Sequence, residues 1–192
     1  TISNTQPING GTLGTKGIIR YRKDRYENEF YINYNNTFIM WGYNTYNNIF
    51  KSVCYNNSFW HTMYNNMILC DRFYNNTFLG SGVGNNTFKG DDIYNNTFGS
   101  GLRDNVFLGS TSNNNIGSGF SDNTLGGDFN NNIVGQYFQY NNIGSGFSGN
   151  TLGTNFMYNV FGNSCYSNNI AHNSSQYNSI GNNFHDNDFA DS

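Results

Sequence analysis

Charge is what this 192-residue chain has least of: Asp, Glu, Lys and Arg together make up 11% of it. Proline occurs once, at Pro7, alanine is almost absent, and long aliphatic helix formers are few. Their place is taken by about 40 asparagines and 23 glycines. Asn competes with its own backbone for hydrogen bonds, and Gly loses the most entropy on ordering, so helix is excluded over most of the chain. No run reaches the 18 apolar residues of a membrane-spanning helix. The net charge of −3 implies no general affinity for nucleic acid. The three cysteines, Cys54, Cys70 and Cys165, are an odd count without CxxC spacing. They are expected to be buried free thiols acting as small hydrophobes, not a disulfide framework. The chain opens at Thr1 without a signal peptide or initiator Met, and reads as a fragment or processed product.

Such charge as there is lies unevenly. Lys16, Arg20, Arg22, Lys23 and Arg25 are five of the nine basic residues, and no Lys or Arg follows Arg103. Asp24, Glu27 and Glu29 balance the basic cluster, which reads as a solvated strand.

What is present is one phrase, repeated. Asn-Asn-Thr-Phe ends at Phe38, Phe78, Phe88 and Phe98, and variants end at Phe50, Phe59, Leu125 and Phe161. Disorder is the rival for an Asn-rich chain, but 18% aromatic residues in register supply a core. The apolar residue closing each phrase forms a first series that includes Phe38, Phe50, Phe59, Phe78, Phe88, Phe98, Phe107, Leu125, Leu152 and Phe161. A second series, Cys54, Met63, Phe73, Val83, Ile93, Leu102 and onward to Phe184, falls between them. Merged, they place an apolar residue every four or five positions. That period fits neither a helix nor a flat strand, and describes a chain turning a corner at each step. Two residues before each anchor sits a second inward candidate. In the first series it is Asn (Asn76, Asn86, Asn96, Asn105, Asn114, Asn123, Asn150, Asn159, Asn168), and in the second Ser81, Asp91, Ser118, Gly127, Ser145 or Thr154. Stacked Asn side chains can bond turn backbone and one another.

An apolar centre with Asn or a small residue two before it, every five positions, resembles the pentapeptide-repeat family, most specifically in residues 71–100. The resemblance implies an all-β, right-handed, four-sided β-solenoid. Residues 34–192 would be the solenoid domain, in which, at 18 to 20 residues per coil, residues 34–189 would form about eight coils and a rod about 40 Å long. Residues 1–33 fall outside the register and are expected to be an N-terminal cap or connector, with a strand or hairpin over 17–32. The acidic Asp186–Ser192 end would blunt the opposite edge. The phrasing also resembles Asn-rich repeat segments of bacteriophage tail-fibre and tail-spike proteins.

Chemistry-bearing clusters are sparse. His61, His172 and His185 are scattered. His185-Asp186-Asn187-Asp188 reads as a polar terminus and Asp91-Asp92 as a turn, and the Gly-rich Gly80–Gly84 lacks the Lys and helix of a phosphate loop. The Asn-x-Thr/Ser triplets at Asn35, Asn56, Asn75, Asn85 and Asn95 are by-products of the repeat. No catalytic residue, cofactor or metal is assigned. The candidate binding surface is aromatic: Tyr34, Trp41, Tyr43, Tyr46, Tyr55, Trp60, Tyr64, Tyr74 and Tyr94, a platform for sugar rings or for another protein.

The resemblance therefore implies a non-enzymatic spacer and host-attachment segment of a fibre, on a virion or extracellular surface. A host glycan or protein receptor would be its partner, a homotrimer its assembly, and neither nucleic acid nor membrane is involved. Two rivals differ in class. An intracellular DNA mimic that binds a topoisomerase needs a strongly acidic face, which 12 acids against 9 bases supply poorly. An ice-binding solenoid needs paired threonines, and Thr37, Thr77, Thr87, Thr97, Thr124 and Thr151 come singly. Far-ultraviolet circular dichroism should show a β spectrum; a helix-dominated spectrum would overturn the fold.

Overall fold

The computed structural model describes residues 54–60, 62–171 and 175–190, together with the strands at 17–21, 25–26, 29–31, 36–40, 45–46 and 49–51. Side chains are described from Ile49 onward, Lys51 and Ala190 excepted. Among the described residues there is no helix. The chain winds into a four-sided β-solenoid whose strands, mostly two residues long, pair in parallel with those of the neighbouring coils.

The sides are numbered here in chain order. Side 1 is a ten-stranded sheet running from Gly17–Tyr21 through Thr77–Phe78 and Thr97–Phe98 to Asp188–Ala190. Side 2 has eight strands, from Arg25–Tyr26 through Met63–Tyr64 to Phe156–Met157. Side 3 has nine, from Glu29–Tyr31 through Thr87–Phe88 to Ser179–Ile180. Side 4 has eight, from Cys54–Tyr55 to Phe184–His185, which bound seven complete coils. Residues 17–31, which the repeat register sets apart, supply strands in this same stack. Ile19 pairs with Phe38, Tyr26 with Tyr46 and Phe30 with Phe50, all in parallel, so no hairpin forms there. Residues 1–16 lie outside the described ones.

The first apolar series supplies sides 1 and 3 and the second supplies sides 2 and 4. Phe50, Phe59, Phe78, Phe88, Phe98, Phe107, Leu125, Leu152 and Phe161 are all buried, none more than 4% exposed. For Phe38 the backbone lies in a side 1 strand, and its side chain is outside the described set. Rings of successive coils stack: Phe78 on Phe98 at 4.9 Å, and Phe88 on Phe107 at 4.7 Å. Across the interior the contact is edge to face, as between Phe88 and Phe98 at 5.8 Å. Both geometries suit the aromatic quadrupole, and each buried ring adds roughly 1.5–3 kcal/mol by leaving water. One inward position escapes the apolar pattern. Thr111 is buried on side 4, in register with Ile93 and Phe129, and its hydroxyl reaches Gly109 O at 3.4 Å.

The four corners are of two kinds. Those leading into sides 1 and 3 are built by the Asn pair of the repeated phrase. The first Asn takes a left-handed backbone, with φ near 55° at Asn75, Asn85 and Asn95, a conformation Asn tolerates better than most residues. The second Asn is buried and forms a ladder. Asn96 Nδ2 donates to Asn114 Oδ1 at 3.1 Å in the next coil and to Phe73 O at 2.9 Å in the previous one. Its Oδ1 accepts from Asn76 N at 2.8 Å and from Asn76 Nδ2 at 3.1 Å. Two donors and two acceptor sites are all used. One ladder runs from Asn57 to Asn187 and the other from Asn66 to Asn178.

Corners leading into sides 2 and 4 lack this ladder. The expected inward positions Ser81, Asp91, Ser118, Gly127, Ser145 and Thr154 are exposed or half-buried, which corrects that expectation. Here glycine lets backbone pack directly on backbone: a Cβ at Gly109 would collide with Gly90 O. Only these corners change length. The step from Phe98 to Leu102 is four residues, whereas every step across an Asn corner, such as Leu102 to Phe107, is five. Pairing across one coil accordingly shifts from 20 residues, as in Phe73 with Ile93, to 18, as in Phe129 with Phe147.

The ladder predicts a steep position effect on stability. Asn114→Leu would leave Asn96 N and one of the two Asn96 Nδ2 hydrogens without an acceptor, and would remove the side-chain donor to Ile93 O. At about 1–3 kcal/mol per buried unpaired group, the loss should reach roughly 3–5 kcal/mol. Asn113→Ala, one residue earlier but exposed and left-handed, should cost about 1 kcal/mol. Urea unfolding of both variants decides it; equal losses would remove the ladder as the source of corner stability.

Candidate functional site

The candidate aromatic residues do not gather on one surface. Tyr55, Tyr74 and Tyr94 lie one per coil on the outside of side 4 and stack face to face, with centroids 4.9 Å apart and planes within 5°. Tyr46 and Tyr64 are in register on side 2, across the rod from side 4. The Tyr64 ring spreads over Gly84 of the next coil, where any side chain would collide with it. Trp60, 49% exposed, follows a side 1 strand at the corner before side 2. Tyr34, Trp41 and Tyr43 lie outside the described residues, and so does the Tyr46 side chain. The described candidates thus fall in three places: a row of three stacked tyrosines on side 4, Tyr64 on side 2, and Trp60 at a corner. The physical cause is the alternation of series: Tyr55, Tyr64, Tyr74 and Tyr94 each directly follow an anchor of the second series, and those anchors alternate between sides 2 and 4.

Stacking also changes what the rows can offer. A ring sandwiched at 4.9 Å has both faces covered by its neighbours, so it presents edges and a hydroxyl to solvent. Tyr74, between Tyr55 and Tyr94, is covered in this way. Tyr94 ends its row, because its partner in the next coil is Ser112. Side 4 then carries Asn130 and Ser148 before aromatic rings resume with Tyr166, which stacks on His185 at 5.3 Å. Tyr140, Tyr158 and Tyr177 form another ladder at the corner between sides 2 and 3, 4.9 and 5.0 Å apart. They occupy the left-handed position that Asn holds elsewhere, with φ of 56–60°. The sequence carries this ladder only as a spacing of 18 to 19 residues between tyrosines, one coil length.

The remaining polar residues are dispersed. Thr77, Thr97 and Thr151 stand in a single column on side 1, interrupted by Asn115 and Ile133. Asp71, Asp91 and Asp128 follow the corner into side 4, whereas Asp104 and Asp122 follow the corner into side 3, so the described acids do not share a face. His185 Nδ1 is 2.8 Å from Asp186 Oδ2, both exposed, while the Asn187 amide belongs to the ladder. An open depression of about 340 Å³ over Gly90 is lined by Leu69, Asp71, Lys89, Asp91 and Leu108. Among the described residues no helix is long and apolar enough to cross a membrane.

Cysteine usage departs from expectation. Cys54 and Cys70 form a disulfide, with Cα atoms 5.9 Å apart, and only Cys165 is free. Cys70 stands two residues after the anchor Ile68, where later coils place the corner glycines Gly90 and Gly109, and it is buried. The available signal was a separation of 16 residues, just short of one coil, which returns the chain beside Cys54. Closing such a loop restricts the unfolded chain by about 3 kcal/mol in the chain-entropy picture. Burial pushes the Cys165 thiol up to about 11 against a contact from Asn168 Nδ2 that lowers it.

No protein-family model, curated protein or solved structure matches the chain. A thiol-specific reagent at pH 8 should label no cysteine in the folded protein, since a thiol with a pKa near 11 is almost wholly protonated there. In urea it should label one, and after reduction all three. Three thiols labelled in urea without reductant would refute the Cys54–Cys70 bond.

Proposed function

We propose that the chain is a non-enzymatic structural and receptor-binding segment of a surface fibre, built from pentapeptide-repeat-like coils and comparable to the repeat segments of phage tail fibres. It acts as a stiff spacer that also contacts a host-surface glycan or protein, and three copies assemble side by side. The observation that carries this reading is a stack of coils whose buried asparagine amides are hydrogen-bonded from coil to coil and whose outer sides display ordered tyrosines. Stiffness follows from ladders that repeat at every coil, and recognition from side chains held at coil spacing. The Cys54–Cys70 disulfide supports a virion or extracellular location, because such bonds persist in oxidising compartments. It also weighs against the intracellular topoisomerase-binding alternative. Trimerisation would multiply weak contacts into firm attachment.

Light scattering coupled to size exclusion, together with a glycan array, tests the reading. The expected results are a mass near three times the 21.7 kDa of one chain and saturable binding to a defined glycan set. A monomer that binds neither glycans nor host-cell surfaces would overturn it.

A further inference from the structure

We propose that side 4 carries a slot for a short, neutral oligosaccharide lying along the rod axis, closed at its ends by the rings of Tyr94 and Tyr166; this rests on the surface-binding reading above. The row on side 4 reads Tyr94, Ser112, Asn130, Ser148, Tyr166 in strict register. Four coil steps of about 4.8 Å separate the end rings by about 19 Å. Tyr74 covers one face of Tyr94, and His185 covers one face of Tyr166. The two remaining faces look toward each other across three positions that hold only small polar side chains. The row thus has aromatic plates at both ends and a floor of hydroxyls and an amide.

The floor is ordered before any ligand arrives. The Ser148 hydroxyl and the Asn130 side-chain amide are 2.8 Å apart. Exposed Asn113 and Asn131 line the rim toward side 1, with Asn131 lying over Gly149. On the opposite rim Asp128 lies over Gly146. These groups donate to and accept from hydroxyls, whereas the ring faces attract the polarised C–H groups of a sugar. Charge selects against anions, because no Lys or Arg occurs beyond Arg103 and Asp92 and Asp128 border the slot. An extended peptide is served less well. The side 4 strands between the end rings are already paired above and below, leaving no edge for an added strand, and the floor has no apolar pocket.

The test uses an array of neutral glycans, followed by saturation-transfer NMR with cellohexaose, laminarihexaose and maltohexaose. Wild-type protein should bind at least one neutral glycan. Tyr94→Ala and Tyr166→Ala should each weaken that binding by about tenfold or more. Ser112→Tyr should abolish it while leaving the melting temperature unchanged or higher, because a ring at that position extends the stack from Tyr94, covers its open face and cuts the span between end rings from about 19 Å to about 14 Å, too short for the same ligand. Tyr140→Ala, on a different corner, should bind as the wild type does. Glycan binding that survives Ser112→Tyr overturns the slot and leaves the surface-binding reading intact. Binding to no glycan at all overturns the slot and the glycan-receptor reading together. Peptide binding that Ser112→Tyr abolishes, without glycan binding, overturns the ligand chemistry assigned here.

Discussion

A buried side-chain amide that finds its own copy at every coil is the constraint on which the rest of this structure depends. Burying a primary amide without partners costs several kcal/mol. Asn96 avoids that cost only because Asn76 and Asn114 stand directly below and above it, with the Phe73 carbonyl completing the set. The geometry is exacting: the amide must be two residues before its anchor and one after a left-handed residue. Steps across the Asn corners are therefore always five residues long. The freedom to shorten a coil from 20 to 18 residues is confined to the other two corners, where glycine backbone stacks on glycine backbone.

That division of labour explains the repeated phrase residue by residue. In Asn95-Asn96-Thr97-Phe98 the first Asn turns the chain, the second joins the ladder, Thr points outward from a two-residue strand, and Phe enters the core. Outward positions are under far weaker constraint, and there the chain varies most. Tyrosine rows, a serine and asparagine interval, and isolated Ile133 and Val160 all occur on the outside of an unchanged interior. Variation on a constant frame is what a binding surface requires. The stacked tyrosines bear on this in two ways: within a row they stiffen the rod, and where Ser112 follows Tyr94 a ring face is left open.

Much of the frame was legible because its signals are local. The anchors Phe78, Phe88 and Phe98 and the amides Asn76, Asn86 and Asn96 declare themselves within five residues, and all six are buried. Thr111 is polar, and only its position in the period marks it as inward. Ser81, Asp91 and Ser145 hold the same place before their anchors as the buried amides do, yet they are exposed. The two kinds of corner differ in what lies between coils, and that difference cannot be seen along the chain. The disulfide was missed for a related reason: Cys54 and Cys70 become neighbours only when a coil of nearly that length is closed.

The sequence by itself determined the period, the inward face and the location of the amide ladders, since each follows from residue types at fixed short spacing. The tertiary structure decided which outer side chains meet. Coil length changes at the corners into sides 2 and 4, so a residue's neighbour in the next coil lies anywhere from 18 to 21 positions away, and no local pattern announces which. That accumulated register places Tyr74 against Tyr94 but Ser112 beyond it. The alternation of second-series anchors between sides 2 and 4, in turn, puts tyrosines that look alike in sequence on opposite sides of the rod.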